Sequence, residues 1–521
     1  MRTKNIAKKD IESKGDDVLT HAKDSEEGGH LLGRKSMLVG MLTSGFVVAT
    51  VAHPSSSMAA GTIKPAPVAA TSPTYISVRS YGAVGDGVTL DQAAINAAIT
   101  ANPGRDIHLT AGSLGTVVYQ IDANYAGGKG IRLNQPGTQL VLDPGVTIRV
   151  NPNALGRYAA ITVTAADCSV SGGAIVGDLG SHTGTTGEWG HGIDIQDAAH
   201  RCKVQGVHIS KCWGDGIIIC DTASSYTTGA KPADVSIIDV VSDGNRRQGM
   251  SIITALRPRV IGGTFMNTGG TDPQAGIDIE PNPGGLQDVI DFSVIGAVMQ
   301  GNAGRGLTVH AQGRTARGTV QGVRSIGNTY EGFSTESTAE VEFVGCTANG
   351  NKNYGFTVQT ATSARNVFTG CTAEANTQLG FCLPTWAEAI GCNARNNGWA
   401  GFYLSGSGTA TSCTATGNNT ASTYYGQFAI EDGTAARMVG CLSSVGTNAA
   451  QPTKGFEVKS GSTGSRIISC DTIGTFTGGS FVDGGTVTSA FPIPGAPKPT
   501  GVPVTVAAVH AALCSLGAIC A

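Results

Sequence analysis

The chain has 521 residues, 75 of them glycine, with 14% charged and 6% aromatic residues and a net charge of −3. Glycine at that level without a strict triplet period excludes collagen, and the near-neutral charge supplies no basic field for nucleic acid or an acidic membrane surface. The abundance of Val, Ile, Thr, Ser and Asn points instead to many short strands joined by tight turns.

Residues 1–36 are polar and end in Gly33-Arg34-Lys35-Ser36, followed by an apolar run from Met37 to Ala52 and small residues through Ala59-Ala60. A basic flank, a short apolar core and small residues make 1–60 an export signal. The mature chain is then secreted, with no membrane-bound part. Arg34-Lys35 resembles a twin-arginine signal with the second arginine replaced. The competing reading is an uncleaved anchor, but the run is short for spanning and contains Gly40, Ser44 and Gly45. Residues 61–73 form a Pro/Ala/Thr linker.

Ile76 to Arg79 alternates as a strand and leads through Tyr81-Gly82-Ala83-Val84-Gly85-Asp86-Gly87 to Asp91. Asp91 is placed to cap a helix whose apolar stripe is Ala94, Ile95, Ala98 and Ile99. This glycine-flanked block resembles the entry segment of the pectate-lyase-like right-handed parallel β-helix proteins. That group includes pectin and alginate lyases, glycan hydrolases and phage tailspike depolymerases. The resemblance implies an all-β solenoid with an N-terminal capping helix, spanning 74–475. It makes Asp86 and Asp91 structural and leaves the reaction open.

The repeat supports the same fold independently. A glycine followed by apolar-x-apolar recurs at Gly192, Gly216, Gly249, Gly276, Gly306, Gly332, Gly355, Gly380, Gly401 and Gly455, with Gln427-Phe428-Ala429-Ile430 filling the longest gap. Such self-similarity belongs to a solenoid. Period two turns the residues at +1 and +3 inward, as in Ile277/Ile279, and those at +2 and +4 outward. Eleven units give a rod on the order of 50 Å long. Asn351, Asn376, Asn397 and Asn418 fall at one repeat position, suited to an internal asparagine ladder. Cys346, Cys371, Cys392, Cys413, Cys441 and Cys470 recur with the repeat, and no CxxC occurs. These read as a column of buried thiols, not as redox or zinc chemistry. Beyond the repeat, 476–521 is a Pro-rich segment with an apolar tail, suited either to plugging the C-terminal end or to oligomerisation. Cys514 and Cys520 lie close enough in sequence to pair.

Charged outward groups concentrate between Gly192 and Gly306, above all in Asn245 to Asn282. Asp278 and Glu280 fall on one face of one strand, about 6.6–7 Å apart at Cα, a pair suited to glycosidic acid/base catalysis. His310 falls one rung away, placed to tune Glu280. Arg246, Arg247 and Gln248 fall one rung the other way, suited to hydroxyls or a sugar carboxylate. Asp194, Asp215 and Arg305 extend the candidate substrate-binding set. Trp189 and Trp213 share a column as a sugar-stacking platform. The plainer alternative makes Asp278 and Glu280 solvated strand residues. Gly190-His191-Gly192 resembles part of the polygalacturonase signature, but the paired aspartates expected nearby are missing, and the Asp-Pro-His motif of mannuronan epimerases is absent.

The functional expectation is a secreted enzyme cleaving a polysaccharide by hydrolysis or transglycosylation. The first alternative is a lyase acting on a uronic-acid polymer, and the second is a glycan-binding, tailspike-like rod. The partner expected is a polysaccharide or oligosaccharide. No cofactor is required, and calcium is expected only for a lyase. The resemblance also implies a homotrimer as the assembly to test.

Overall fold

The computed structural model describes residues 75–484 and 490–491, apart from 113–114, 222–230, 284–286, 360–363, 422–424 and 448–451. The segments expected as export signal and linker, the expected apolar tail, Cys514 and Cys520 lie outside the described residues.

Each turn of the chain contributes one short strand to each of three parallel sheets. One turn runs Ile277–Ile279 in sheet C, Val289–Ile295 in sheet A and Val298–Gln300 in sheet B, before Leu307–His310 begins the next. Successive turns pair in register, Ile277 on Leu307, Asp278 on Thr308 and Ile279 on Val309. The three sheets enclose one continuous core. Ile277 and Ile279 are fully buried, as are Leu307 and Val309, so the inward period of the repeat is the one realised.

The repeating glycine has a steric cause. A Cβ on Gly276 would meet Met299 Cγ at 2.6 Å and the Gly306 carbonyl at 2.8 Å, so the backbone here passes too close to the next rung for any side chain. Just inside, the asparagine ladder forms: Asn351 Nδ2 donates to Asn376 Oδ1 and Asn376 Nδ2 to Asn397 Oδ1, each at 2.9 Å. It extends beyond the residues expected, back to Asn302 and Asn328 and forward from Asn418 to Gln427 Oε1. The six repeat cysteines are free and buried. Phe333, Phe356, Phe381, Phe402, Phe428, Phe456 and Phe481 stack ring on ring, with centroids 4.7 to 5.0 Å apart.

The N-terminal helix Gln92–Ala101 buries Ile95, Ala98 and Ile99 against the first rungs. Asn96 serves the open edge directly, donating to the Gly130 carbonyl and accepting from the Arg132 N–H. Asp91 does not cap the helix with its side chain. Its carboxylate takes the Val84 and Gly85 N–H groups at 2.6 and 3.0 Å, binding the preceding turn. At the other end the stack continues past residue 475, through Phe481–Asp483 and Ala490–Phe491, because Phe481 prolongs the aromatic stack.

Candidate functional site

Sheet C carries the charged cluster on its outer face. The register aligns Ser251, Asp278, Thr308 and Ser334 in one column. This column faces away from the core yet is almost wholly buried, Asp278 being 2% exposed. The side chains just before each repeat glycine, and those two residues beyond the column, fold over it.

Asp215 is the anchor of that covering layer. It is fully buried and accepts from Ser251 Oγ at 2.9 Å, the Gln248 N–H at 3.1 Å and Arg247 Nη1 at 3.2 Å. Burial raises its proton affinity, and Arg247, Ser251 and Gln248 pull against that rise. His191 lies 3.6 Å away, and burial together with Arg247 pushes its imidazole down to about 3. It is therefore neutral. Asp215 and Gln248, expected on the substrate side, are thus beneath it, because their partners sit in the same covered column.

Arg247 spans the cluster. Its guanidinium reaches Asp215, Glu188 at 3.8 Å and Glu280 at 4.0 Å, with 12% side-chain exposure. Gln248 Nε2 donates to Asp278 Oδ2 at 2.6 Å, while its Oε1 accepts the Ala275 N–H. Asp278 Oδ1 is buried without a conventional partner. Burial and the neighbouring Glu280 charge raise the Asp278 proton affinity well above the usual carboxylate range. Glu280 is also raised by burial, against the pull of Arg247, His310 and a side-chain hydrogen bond with Asp278. Both carboxyls thus hold a proton more tightly than a free one does. Asp278 lies in the covered column at 2% exposure, and Glu280, its side chain 22% exposed, faces the cleft.

Glu280 Oε1 accepts from Gln312 Nε2 at 2.7 Å and lies 4.0 Å from His310 Nδ1, while His310 Nε2 lies 3.8 Å from Glu336 Oε2. Arg305 closes the row, bonding Glu331 at 2.8 Å and Glu336 at 3.1 Å. Glu280, His310 and Glu336 occupy one position on successive rungs. Side-chain exposures of 22%, 37% and 15% make this row the open floor of the site.

Other expected residues lie elsewhere. Trp213 is held on both faces, stacked on His182 at 3.9 Å and covered by the Arg246 guanidinium at 3.8 Å. Arg246 also donates to the Gly187 and Trp213 carbonyls, so each side chain is held by its neighbours. Trp189 is 41% exposed beside Arg157, and the two indoles form no shared platform. Asp194, bonded by Gln196 and Cys220, lies three rungs from Asp278 across the apolar patch of Ile218, Cys220 and Ile253. Burial pushes it up to about 6.

Sequence reasoning missed Glu336, Gln312, Glu331 and Glu188. Glu336 shares the repeat position of Glu280 and His310, so the alignment of rungs held the signal. Gln312 sits in a left-handed turn with φ 49°, which strand periodicity does not position. Among the described residues no group of three His, Cys, Asp or Glu side chains is arranged to hold a metal ion. The cluster's carboxylates are engaged by guanidinium groups and amides, which does not fit calcium's need for several free oxygen ligands.

Residues 191–388 and 291–442 match the family described as right handed beta helix region. A curated relative, the SPbeta prophage-derived uncharacterized protein YorA of Bacillus subtilis (strain 168), is 33% identical over 100 residues, covering 18% of this chain and 17% of that protein. The match thus spans under a fifth of the relative's length. Among solved structures, a mutant tailspike protein of E. coli bacteriophage HK620 in complex with pentasaccharide is similar at 11% identity and a TM-score of 0.52, over 79% of this chain and 78% of that one. The pre-mature bacteriophage phi29 gene product 12 is similar at 14% identity and a TM-score of 0.51, over 77% and 57%. The A-module of Azotobacter vinelandii mannuronan C-5 epimerase AlgE4 is similar at 17% identity and a TM-score of 0.49, over 80% and 100%. Identities this low speak to the fold alone.

Proposed function

For this right-handed parallel β-helix protein, which resembles the pectate-lyase-like group, we propose an exported carbohydrate-active enzyme that cleaves glycosidic bonds of a polysaccharide on the outer face of sheet C. The observation carrying this reading is the open row Glu280–His310–Glu336, beside the buried Asp278 whose proton affinity is raised by burial and the Glu280 charge. Glu280 and Glu336 are two rungs apart, about 9–10 Å at Cα. That spacing lets their carboxyls reach the ≈ 6.5–9.5 Å used for inverting hydrolysis.

In this scheme Glu280, its proton affinity raised by burial, gives its proton to the glycosidic oxygen. Arg247 and Gln312 then hold the carboxylate it becomes. Glu336, ion-paired to Arg305, takes a proton from the water that attacks the anomeric carbon from the opposite side. His310 lies under the scissile bond. The chain of sugars would continue along the same face over Tyr354, Trp399, Tyr403 and Tyr425, a partly buried aromatic cluster three to six rungs beyond Glu280. Rings there offer stacking surface to sugar faces.

Elimination on a uronic-acid polymer is the second reading, favoured by the exposure of His310 beside Arg305. Digestion of a glycan panel followed by mass spectrometry tests both. Products carrying an added water support hydrolysis, unsaturated products support elimination, and retention of glycan without turnover supports a binding rod. The proposal fails if Glu280→Gln and Glu336→Gln leave turnover intact.

A further inference from the structure

The outer face of sheet A, remote from the acid cluster, carries a charge pattern that complements itself. Its strands stack one residue per rung, so charges along one column can be read in order. Lys203 and Glu388 lie seven rungs apart, and Arg259 and Glu342 three rungs apart. Both pairs are centred midway between the rungs of Ser293 and Thr319, and the intervening positions are uncharged. Farther out, Asp106 and Arg466 lie at equal distances from the same centre, and Arg437, one rung inside Arg466, falls opposite the uncharged Gln139.

The neighbouring column, two residues earlier, alternates in sign from rung to rung: Asp167, Arg201, Asp234, Arg257, Asp291 and Arg317. Within the chain its members are bonded in part, as in Arg201–Asp167 and Arg257–Asp234 at 2.7 Å. The column on the other side mixes Ile238, Ile261, Ile295, Val344 and Ile390 with Gln205, Gln321 and Thr369, and its Ile261 and Ile295 are open for β-branched side chains, 37% and 39% exposed. Between the columns runs a shallow trough of ≈ 990 Å³ whose lining includes Arg259, Ile261, Ile295, Glu342 and Ile390. Among the described residues Lys203, Arg259 and Glu342 make no salt bridge.

We propose that this face binds a second copy of the chain, in antiparallel orientation, across a two-fold axis running along the strand direction between the Ser293 and Thr319 rungs. Such a rotation lays each column on its own counterpart with the rung order reversed. Arg259 meets Glu342 of the second copy, Lys203 meets Glu388 and Asp106 meets Arg466; in the alternating column Asp291 meets Arg317, Arg257 meets Glu340 and Asp234 meets Arg365, while Arg201 and Asp167 meet the uncharged Trp386 and Ser407. The mixed column lies on itself, Ile295 opposite Gln321 and Ile261 opposite Val344. A two-fold interface must be self-complementary in this way. Parallel association about an axis along the solenoid would instead bring like charges level with one another, which is unfavourable. The face is about 60 Å long and three residues wide, on the order of 600 Å² per copy, approaching the roughly 800 Å² per partner of a standard interface.

Sedimentation velocity on the full chain tests the pairing. The expected result is a dimer whose dissociation constant rises at least about tenfold in Arg259→Glu and likewise in Glu342→Arg, with the double variant R259E/E342R restored to near the parent value. A monomer, a trimer, a dimer indifferent to the single substitutions, or a double variant that stays dissociated each overturns the proposal. None of these residues belongs to the acid cluster, so the outcome is independent of the proposed activity.

Discussion

Gln248 Nε2 donates to Asp278 Oδ2 at 2.6 Å, while the other Asp278 oxygen is buried without a hydrogen-bond partner. Burial and the neighbouring Glu280 raise the proton affinity of this carboxyl well above the usual range, and asparagine is its neutral near-isostere. Asp278→Asn is expected to fold, to keep activity within about tenfold, and to be the more stable protein at neutral pH. The sign follows from linkage: a carboxyl whose folded proton affinity exceeds its unfolded one contributes stability that is lost as pH rises above about 3.9. Asp278→Ala, in contrast, strands Gln248 and Glu280 and should cost about 1–3 kcal/mol. Urea denaturation at pH 5 and pH 8 separates the two variants.

Glu280 and Glu336 should behave as a working unit. Glu280→Gln and Glu336→Gln are each expected to lower kcat by about 10²–10⁴ with little change in KM. The double variant should lose far less than the product of the two, since groups acting in one step are not additive. Steady-state kinetics on the substrate identified by product masses provides the check.

Arg247 and Asp215 form the buried ion pair beneath the site. Arg247→Met leaves the Asp215 charge uncompensated and should destabilise by about 3–5 kcal/mol. Adding Asp215→Asn should recover most of that loss. A double-mutant cycle by equilibrium unfolding measures the coupling.

Rung order was legible in the sequence because a solenoid ties position to periodicity: Gly249, Gly276 and Gly306 had to align, and Ile277 and Ile279 had to face inward. Asp278 and Glu280 were therefore placed on the correct strand and rung. Depth was not legible. Period two assigns Asp278 to the outer face but says nothing of Arg247 and Gln248 folding over it. Trp189 and Trp213 illustrate the same gap, since a shared column does not fix rotamers, and His182, which captures Trp213, comes from another part of the coil.

Asp194 offers a pH signature separable from catalysis. Burial pushes its carboxyl up to about 6 from 3.8, so the folded state holds this proton more tightly than the unfolded chain. Its contribution to stability should fall as pH rises between those two values and then level off. Asp194→Asn should therefore gain Tm over the parent progressively from pH 4 to pH 6, with a constant gap above. Calorimetry across that range tests the shape.

Trp399 tests the path along the face. Trp399→Ala is expected to raise KM for long glycans by about 5- to 100-fold, as loss of about 1–3 kcal/mol of stacking would. Cleavage of fragments too short to reach it should be unchanged. A chain-length series of one glycan reads the difference.

The six repeat thiols sit one above another, sealed at 0 to 3% exposure. Once the coil is closed, no oxidant reaches them and no thiol can leave its rung. Before closure they are six interchangeable nucleophiles on an open chain. Folding in an oxidising compartment would thus be a race between winding and mispairing, and each wrong disulfide would stall a rung. On the proposed export, a protein with this core gains from winding in reducing surroundings and crossing the membrane already closed, which ties the inside of the solenoid to the route taken.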